Sequence, residues 1–284
     1  MSKVTVVGSG VMGKGIAYAF AIGGYEVAVN DLNDNILAKA KNDIDTLLEG
    51  SLEKGFLKEE VYQTAKKNLI YESDLKTAAE GSELAVEAVL EKMDLKIDIF
   101  KQLDEICPPE TVLATNTSTM SPTEIGAQTS RPEKIVAMHF FNPVHKMKLI
   151  EVIRGLETSD ETVKFIHETA AKINKTTVEV NEFPGFVTSR MNCLIGNEAM
   201  NLLMEGVASA KDIDNAMKLG LNHPMGPLEL ADLVGLDSRL RNMEYLYETL
   251  GEKYRPCPLL IKYVKAGRLG KKSGSGFYEY SQEG

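Results

Sequence analysis

A glycine loop set between a strand pattern and a helix pattern limits what this chain can fold into more than any other segment. Val4-Thr5-Val6-Val7, a β-branched apolar run, leads straight into Gly8-Ser9-Gly10-Val11-Met12-Gly13, and a helix-compatible stretch follows from Lys14 to Ile22. A GxGxxG alone is a weak signal, but between a strand and a helix its glycines take on separate tasks. Gly8 permits the tight turn, Gly10 lets the backbone approach a pyrophosphate, and Gly13 lets the helix lie close to the strand. The start of the helix, Val11 and Met12 included, offers backbone N–H groups and a favourable dipole to the phosphates. Asp31 lies 18 residues beyond Gly13, at the end of the second predicted strand. A carboxylate there accepts hydrogen bonds from an adenosine ribose and repels a 2′-phosphate, which selects NAD over NADP. The plainer reading is a glycine turn followed by an Asp that caps a helix. Strand, loop, helix and acid in register favour the dinucleotide.

The rest of the first half alternates short β-branched runs with helical patterns. Strands are predicted at residues 4–7, 27–30, 84–89, 111–114 and 135–139, with helices at 33–48 and 93–106 between them. That alternation marks βαβ units and a mostly parallel sheet covered on both faces, a Rossmann-type doubly wound fold. Two more strands are expected at 149–153 and 176–180, flanking a helix capped by Ser159. Residues 34–77 hold more than one crossover helix and read as a helical insertion broken near Gly50–Gly55. It carries Lys39, Lys41, Lys54, Lys58, Lys66 and Lys67. At Pro184-Gly185 the pattern turns wholly helical, with segments at 184–204, 209–219 (opened by a Ser209/Asp212 capping box), 227–234, 237–250 and 258–266. Residues 1–183 therefore read as an NAD-binding α/β domain, and 184–284 as an all-helical domain.

Composition closes off several function classes. A net charge of −9 over 284 residues leaves no broad basic surface for nucleic acid, although a local lysine cluster can hold a small anion. The apolar opening from Val4 to Gly24 is broken by Gly8, Gly10, Gly13, Lys14 and Gly15, and no membrane span is expected. Cys107, Cys193 and Cys257 are odd in number and far apart, without a CxxC. They argue against a disulfide framework or a metal site, and for a soluble protein of the reducing cytoplasm.

Three segments carry candidate chemistry. Thr115-Asn116-Thr117-Ser118 and His139-Phe140-Phe141-Asn142-Pro143 each follow a predicted strand, at the carboxyl edge where open α/β sheets bind ligands. The third, Leu149-Ile150-Glu151-Val152-Ile153, is an apolar run holding one carboxylate. Oxidation of an alcohol needs a base for the hydroxyl proton as hydride leaves, and histidine suits this near neutral pH. If residues 140–150 fold back as an antiparallel connection centred near His145, His139 and Glu151 come opposite each other. The carboxylate then fixes the imidazole tautomer and stabilises the imidazolium. A single His at a strand end is more often structural, and Asn116 and Ser118 could be turn or cap residues. A Glu inside an apolar strand is harder to explain that way, because an unpaired buried carboxylate is costly.

With these residues in hand, the chain resembles the 3-hydroxyacyl-CoA dehydrogenases. The similarity runs through Gly8–Gly13, Val86-Glu87-Ala88, Asn116-Thr117-Ser118, His139–Pro143, Pro184-Gly185-Phe186-Val187, Met225-Gly226-Pro227 and Gly270-Lys271-Lys272-Ser273-Gly274-Ser275-Gly276-Phe277-Tyr278, and so covers essentially the whole chain. Within that family it looks most like the stand-alone bacterial enzymes of four-carbon substrates. The resemblance implies reversible NAD-dependent oxidation of a (3S)-3-hydroxyacyl-CoA to the 3-oxoacyl thioester. His139 would be the acid/base, Glu151 its partner, and Ser118 a hydrogen-bond donor to the substrate oxygen. Asn116 and Glu91 would lie near the nicotinamide, and Asn142 and Ser189 would contact substrate. Ser51 and Lys54 of the lysine-bearing insertion would contact coenzyme A, and the helical domain would form a homodimer or higher homo-oligomer. One departure is Thr188-Ser189-Arg190, where most of the family has Val-Asn-Arg. Ser189 is shorter than the family's Asn, though its hydroxyl can still donate a hydrogen bond.

Two other readings fit parts of the pattern. Dehydrogenases of free 3-hydroxy acids share the glycine loop and a helical second domain but use a lysine as the acid/base. A non-catalytic NAD-binding protein of the same fold would have no use for His139 beside Glu151.

Overall fold

The protein, a computed structural model that describes residues 2–280, divides into two compact units after Phe183. The first runs β1 (Lys3–Val7), α1 (Val11–Ile22), β2 (Glu26–Asn30), α2 (Asp34–Glu53), α3 (Glu59–Asn68), β3 (Leu69–Tyr71), α4 (Leu75–Ala79), β4 (Leu84–Glu87), α5 (Met93–Ile106), β5 (Val112–Thr115), α6 (Pro122–Gly126), β6 (Ile135–Phe140), β7 (Leu149–Arg154), α7 (Asp160–Lys172) and β8 (Thr176–Asn181). The strands form one sheet in the order β3-β2-β1-β4-β5-β6-β7-β8, parallel throughout except that β7 runs against β6. The doubly wound, mostly parallel fold expected from the sequence is therefore the fold observed.

Side-chain alternation assigns the two faces. Val4, Val6, Leu84, Val86, Val112, Ala114, Val136 and Met138 enter the core shared with α1, α2, α3 and α7. Val7, Ala85, Leu113 and Ile135 enter the core shared with α5 and α6. Residues in phase with that second set, Glu87, Thr115 and His139, thus emerge on the α5/α6 face at the carboxyl ends of β4, β5 and β6. All three are buried.

The insertion breaks where expected, near Gly50–Gly55, and departs from the prediction in one respect, its strand. Gly50 lies inside α2, and the break falls after Glu53, where Gly55 turns in the left-handed region (φ 72°). After α3 the chain forms β3 against β2 and then α4, so the segment contributes an edge strand as well as two helices. A three-residue strand is too short to show a period of two in sequence.

The second unit is helical: α8 (Thr188–Met204), α9 (Ala210–Asn215), α10 (Pro227–Val234), α11 (Leu236–Leu250) and α12 (Pro258–Lys265), around Met200, Leu228, Leu236, Met243 and Leu260. Ser209 caps α9 as predicted, accepting from the Asp212 N–H at 3.2 Å. Two buried aspartates fasten the ends of α10. Asp214 accepts from the Leu228 and Glu229 N–H groups at 2.9 Å each, capping the helix from a distance. Asp232 accepts from the N–H groups of Phe277 (3.0 Å) and Tyr278 (2.9 Å) and from the Tyr280 hydroxyl (3.0 Å), clamping the C-terminal glycine-rich segment. Burial pushes the Asp232 carboxyl above its usual range, against the hydrogen bonds that favour its charged form. Truncating it strands these donors, so Asp232→Ala should cost about 2–3 kcal/mol in chemical denaturation. Asp232→Asn, which keeps an acceptor, should cost less, and equal losses would contradict the clamp.

Candidate active site

Most of the candidate residues lie where β1, β4, β5 and β6 end. The glycine loop is shaped by contact. Gly8 sits at φ 94°, and a Cβ there would lie 2.8 Å from the Ala88 carbonyl oxygen. A Cβ on Gly13 would lie 1.8 Å from the carbonyl oxygen of Gly8, so only glycine lets α1 start this close to β1. Gly10 is different: nothing lies within 4 Å of where its Cβ would stand. Its backbone takes an extended conformation, and no side chain caps α1 or places an acid in its first turn. An anion can therefore approach the helix start directly, which fits a dinucleotide pyrophosphate. Val11 is exposed at the helix start, whereas Met12 leans into the core.

Asp31 directly follows β2 and reaches back to the loop. Its Oδ2 accepts from the Ser9 N–H (2.7 Å) and hydroxyl (2.6 Å), and its Oδ1 from the Leu32 N–H (2.8 Å). The residue expected at the ribose thus also braces the turn. The part played by Ser9 was not legible in the sequence.

Next to it lies a buried ionic network that the sequence reading missed. Lys96 of α5 is fully buried and donates to both Glu87 oxygens (2.7 and 2.9 Å). The Thr115 hydroxyl (2.6 Å) and the Val89 N–H (2.7 Å) complete the Glu87 carboxylate. Lys96 also pairs with Glu91 at 3.1 Å, and Glu91 accepts from the Thr117 hydroxyl and from the Ser118 N–H (3.1 Å). The loop after β4 is thereby tied to the loop after β5. A signal existed: Lys96 shares the apolar stripe of α5 with Phe100 and Leu103, and Glu87 interrupts an apolar strand just as Glu151 does.

Asn116 performs the corresponding task one strand further on. Its side-chain oxygen accepts from the Phe140 N–H at 3.0 Å, joining the end of β5 to the end of β6. Beyond that point β6 and β7 pair antiparallel, with His139 directly opposite Glu151. The His139 Nδ1 lies 2.8 Å from Glu151 Oε2, and its Nε2 lies 3.1 Å from the Ser118 hydroxyl. Glu151 is fully buried and His139 is 6% exposed, so the pair lies away from competing water. A carboxylate only accepts, so the tautomer with its proton on Nδ1 donates to Glu151 and turns Nε2 toward the Ser118 hydroxyl.

The remaining candidates are more scattered. Asn142 is exposed, three residues beyond His139, ahead of a cis bond to Pro143. Ser189 lies half-buried in the first turn of α8, in the other unit. Ser51 is buried, and its hydroxyl is used within the fold: it accepts from Tyr18 (2.9 Å) and donates to the Leu47 carbonyl (2.7 Å). Where a coenzyme contact was expected, the hydroxyl thus has two partners inside the fold. Lys54, at the end of α2, is exposed. Among the described residues no group of acids, histidines and cysteines could hold a metal ion, and no helix is long and apolar enough to cross a membrane.

Residues 3–183 match the family model for the 3-hydroxyacyl-CoA dehydrogenase NAD-binding domain, and residues 185–280 the model for the 3-hydroxyacyl-CoA dehydrogenase C-terminal domain. The chain is 49% identical over 284 residues to a probable 3-hydroxybutyryl-CoA dehydrogenase of Bacillus subtilis, covering 100% of this chain and 99% of that one. It is 45% identical to the 3-hydroxybutyryl-CoA dehydrogenase of Clostridioides difficile, over 99% and 100% of the two chains. Among solved structures, the (S)-3-hydroxybutyryl-CoA dehydrogenase of Ralstonia eutropha superimposes with a TM-score of 0.95 at 41% identity, covering 99% of this chain and 100% of that one.

The buried network makes a sharp demand on stability. Lys96→Met leaves the Glu87 carboxylate buried without its cation and should cost about 3–5 kcal/mol in urea unfolding. Adding Glu87→Leu should recover most of that loss. A single-variant cost below about 1 kcal/mol, as for an exposed pair, would contradict the network.

Proposed function

This chain belongs to the 3-hydroxyacyl-CoA dehydrogenase family and is an NAD-dependent oxidoreductase, and we propose that its substrate is the four-carbon (3S)-3-hydroxybutyryl-CoA, interconverted with acetoacetyl-CoA. The observation that carries the catalytic reading is the line Ser118–His139–Glu151, two hydrogen bonds of 3.1 and 2.8 Å at the edge of the dinucleotide loop's sheet. The names of the full-length relatives support the four-carbon thioester.

In this reading His139 Nε2 takes the proton of the C3 hydroxyl, and NAD, which Gly8–Gly13 and Asp31 would hold, would supply the hydride acceptor for C3. The 3-oxoacyl thioester would be left with His139 as an imidazolium, which passes the proton on to solvent. Glu151 fixes the tautomer beforehand and stabilises the imidazolium afterwards. Ser118 donates to the substrate oxygen and holds it near Nε2. Glu91 and Asn116 keep the two flanking loops in place on the nicotinamide side, and Asp31 and Gly8–Gly13 hold the adenosine and pyrophosphate ends.

The coenzyme A arm finds support in a groove lined by Val11, Ile44, Leu47, Pro143, Val144 and His145, between α1, α2 and the β6–β7 connection. Burial and the nearby charges of Lys146, Lys175 and Lys54 hold the His145 pKa below its usual range. The charges of Lys146 and Lys54 suit the phosphates of coenzyme A, and Lys54 is the insertion lysine among them. The helical unit is assigned to substrate binding, with Ser189 as its polar contact. It is also assigned to homo-oligomer formation, for which exposed Val207, Leu219 and Leu221 provide apolar surface. Cys107, Cys193 and Cys257 are buried and unbridged, in keeping with the cytoplasm.

Turnover is measured as NADH consumption with acetoacetyl-CoA, longer 3-oxoacyl-CoA thioesters and free acetoacetate. Acetoacetyl-CoA should give the highest kcat/KM; comparable rates on the free acid would sink the thioester reading. His139→Ala should lower kcat by at least about 10²–10⁴-fold with NADH affinity nearly intact. Activity near that of the parent would remove His139 from the base role. Gly10→Ala should leave the unfolding midpoint unchanged, because its Cβ meets nothing, yet weaken NADH binding by crowding the pyrophosphate. Unaltered NADH affinity in that variant would mean the cofactor does not pass this loop.

A further inference from the structure

Residues 141–148 leave β6 and return as β7. The turn inside this connection is closed by the Lys146 and Met147 N–H groups, which donate to the Pro143 carbonyl at 3.0 and 3.1 Å. That arrangement leaves the carbonyls of Val144 and Met147 outside any strand ladder. Both are taken up by one side chain from elsewhere: Lys175 Nζ donates to the Val144 oxygen at 2.5 Å and to the Met147 oxygen at 2.6 Å.

Lys175 is built for this task. It stands one residue ahead of β8, beyond a left-handed turn at Asn174 (φ 56°), and its own N–H donates to the Ala170 carbonyl at 2.9 Å. It is half-buried, and burial alone acts on its pKa, pushing it down. No carboxylate pairs with it among the described residues. A lysine drawn partly out of water without a counter-ion, and spent on two backbone carbonyls, is an unusual use of charge. Such charge-assisted bonds are stronger than neutral ones. The connection is fixed from the other side as well, since Val144 is buried against α1 where a Cβ on Gly15 would lie 2.8 Å from it. Two residues before Val144 stands Asn142, and three residues before Asn142 stands His139.

We propose that Lys175 is a positioning residue for the reaction: its ammonium locks the β6–β7 connection and so sets where Asn142 stands relative to His139. This rests on the reading of His139 as the base and Asn142 as a substrate contact. Lys175 touches neither substrate nor cofactor and acts through the backbone of Val144 and Met147. A displacement of about 1 Å in a substrate-orienting group is enough to cost up to about 10²-fold in rate, which sets the scale of the effect.

The test is steady-state kinetics with acetoacetyl-CoA on Lys175→Met, Lys175→Arg, Asn142→Ala and the Lys175→Met/Asn142→Ala double variant, with NADH affinity and unfolding midpoint measured on each. Lys175→Met should lower kcat about tenfold or more while NADH affinity is kept, and Lys175→Arg should restore much of it. If Lys175 works through Asn142, the double variant should be no slower than Asn142→Ala alone. Should Lys175→Met fail to fold, Lys175→Gln, too short to span both carbonyls, is read in the same way. A raised KM with unchanged kcat would assign Lys175 to attracting the anionic thioester and overturn the proposal, as would multiplicative losses in the double variant. His139→Ala run in parallel separates the two levels: parental activity there removes the base assignment, whatever Lys175 does.

Discussion

A carboxylate in the middle of a buried strand has to meet a donor at hydrogen-bond distance, or the strand is destabilised by several kcal/mol. Glu151 is such a group, and the antiparallel return of β7 is what satisfies it. In a sheet whose other neighbours are parallel, the ends of β6 and β7 would otherwise lie far apart along the chain. A short connection reverses the direction and sets Glu151 opposite His139. The rest of the site is arranged around that pair. Asn116 holds the backbone just beyond His139, the Ser118 hydroxyl meets its Nε2, and Lys175 bonds the connection that makes the reversal.

The same constraint recurs at Glu87 and is met differently. There the partner is the Lys96 ammonium, together with Thr115 and the Val89 N–H. Glu87 therefore sits in an ion pair that, through Glu91, ties the loop after β4 to the loop after β5. Glu151 is paired with the one side-chain type that changes charge near neutral pH. Two carboxylates buried in different strands of one sheet, Glu87 in β4 and Glu151 in β7, thus meet different partners. One is closed off by an ammonium, a hydroxyl and a backbone N–H, and the other by an imidazole.

The glycine loop was legible because each of its glycines answers a local demand within six residues of sequence. The antiparallel pairing of His139 and Glu151 was legible as a possibility, since a carboxylate in an apolar run calls for a partner. Ser118 and Asn116 could be placed only by their position after a strand. Lys96 went unread although it lies on the apolar stripe of α5, because a lysine in such a stripe is usually a long stem reaching back to solvent. Ser51 was read as a ligand contact, yet α2 turns it inward to Tyr18. The brief strand β3 gave no signal of its own, being defined by its neighbour β2.

The sequence by itself determined the alternation of strands and helices, the dinucleotide loop, the acid at the end of β2 and the change of character at Pro184, since each depends on residues close together in the chain. The tertiary structure decided which strand lies beside which, which face each side chain takes and which groups separated in sequence become partners. Lys175 with Val144 and Met147 is such a partnership, as is Glu91 with Thr117 and Ser118. The reason lies in the period of two along a strand. It tells which residues share a face, but the occupant of the facing position is set by sheet order and register, which are properties of the whole packed sheet.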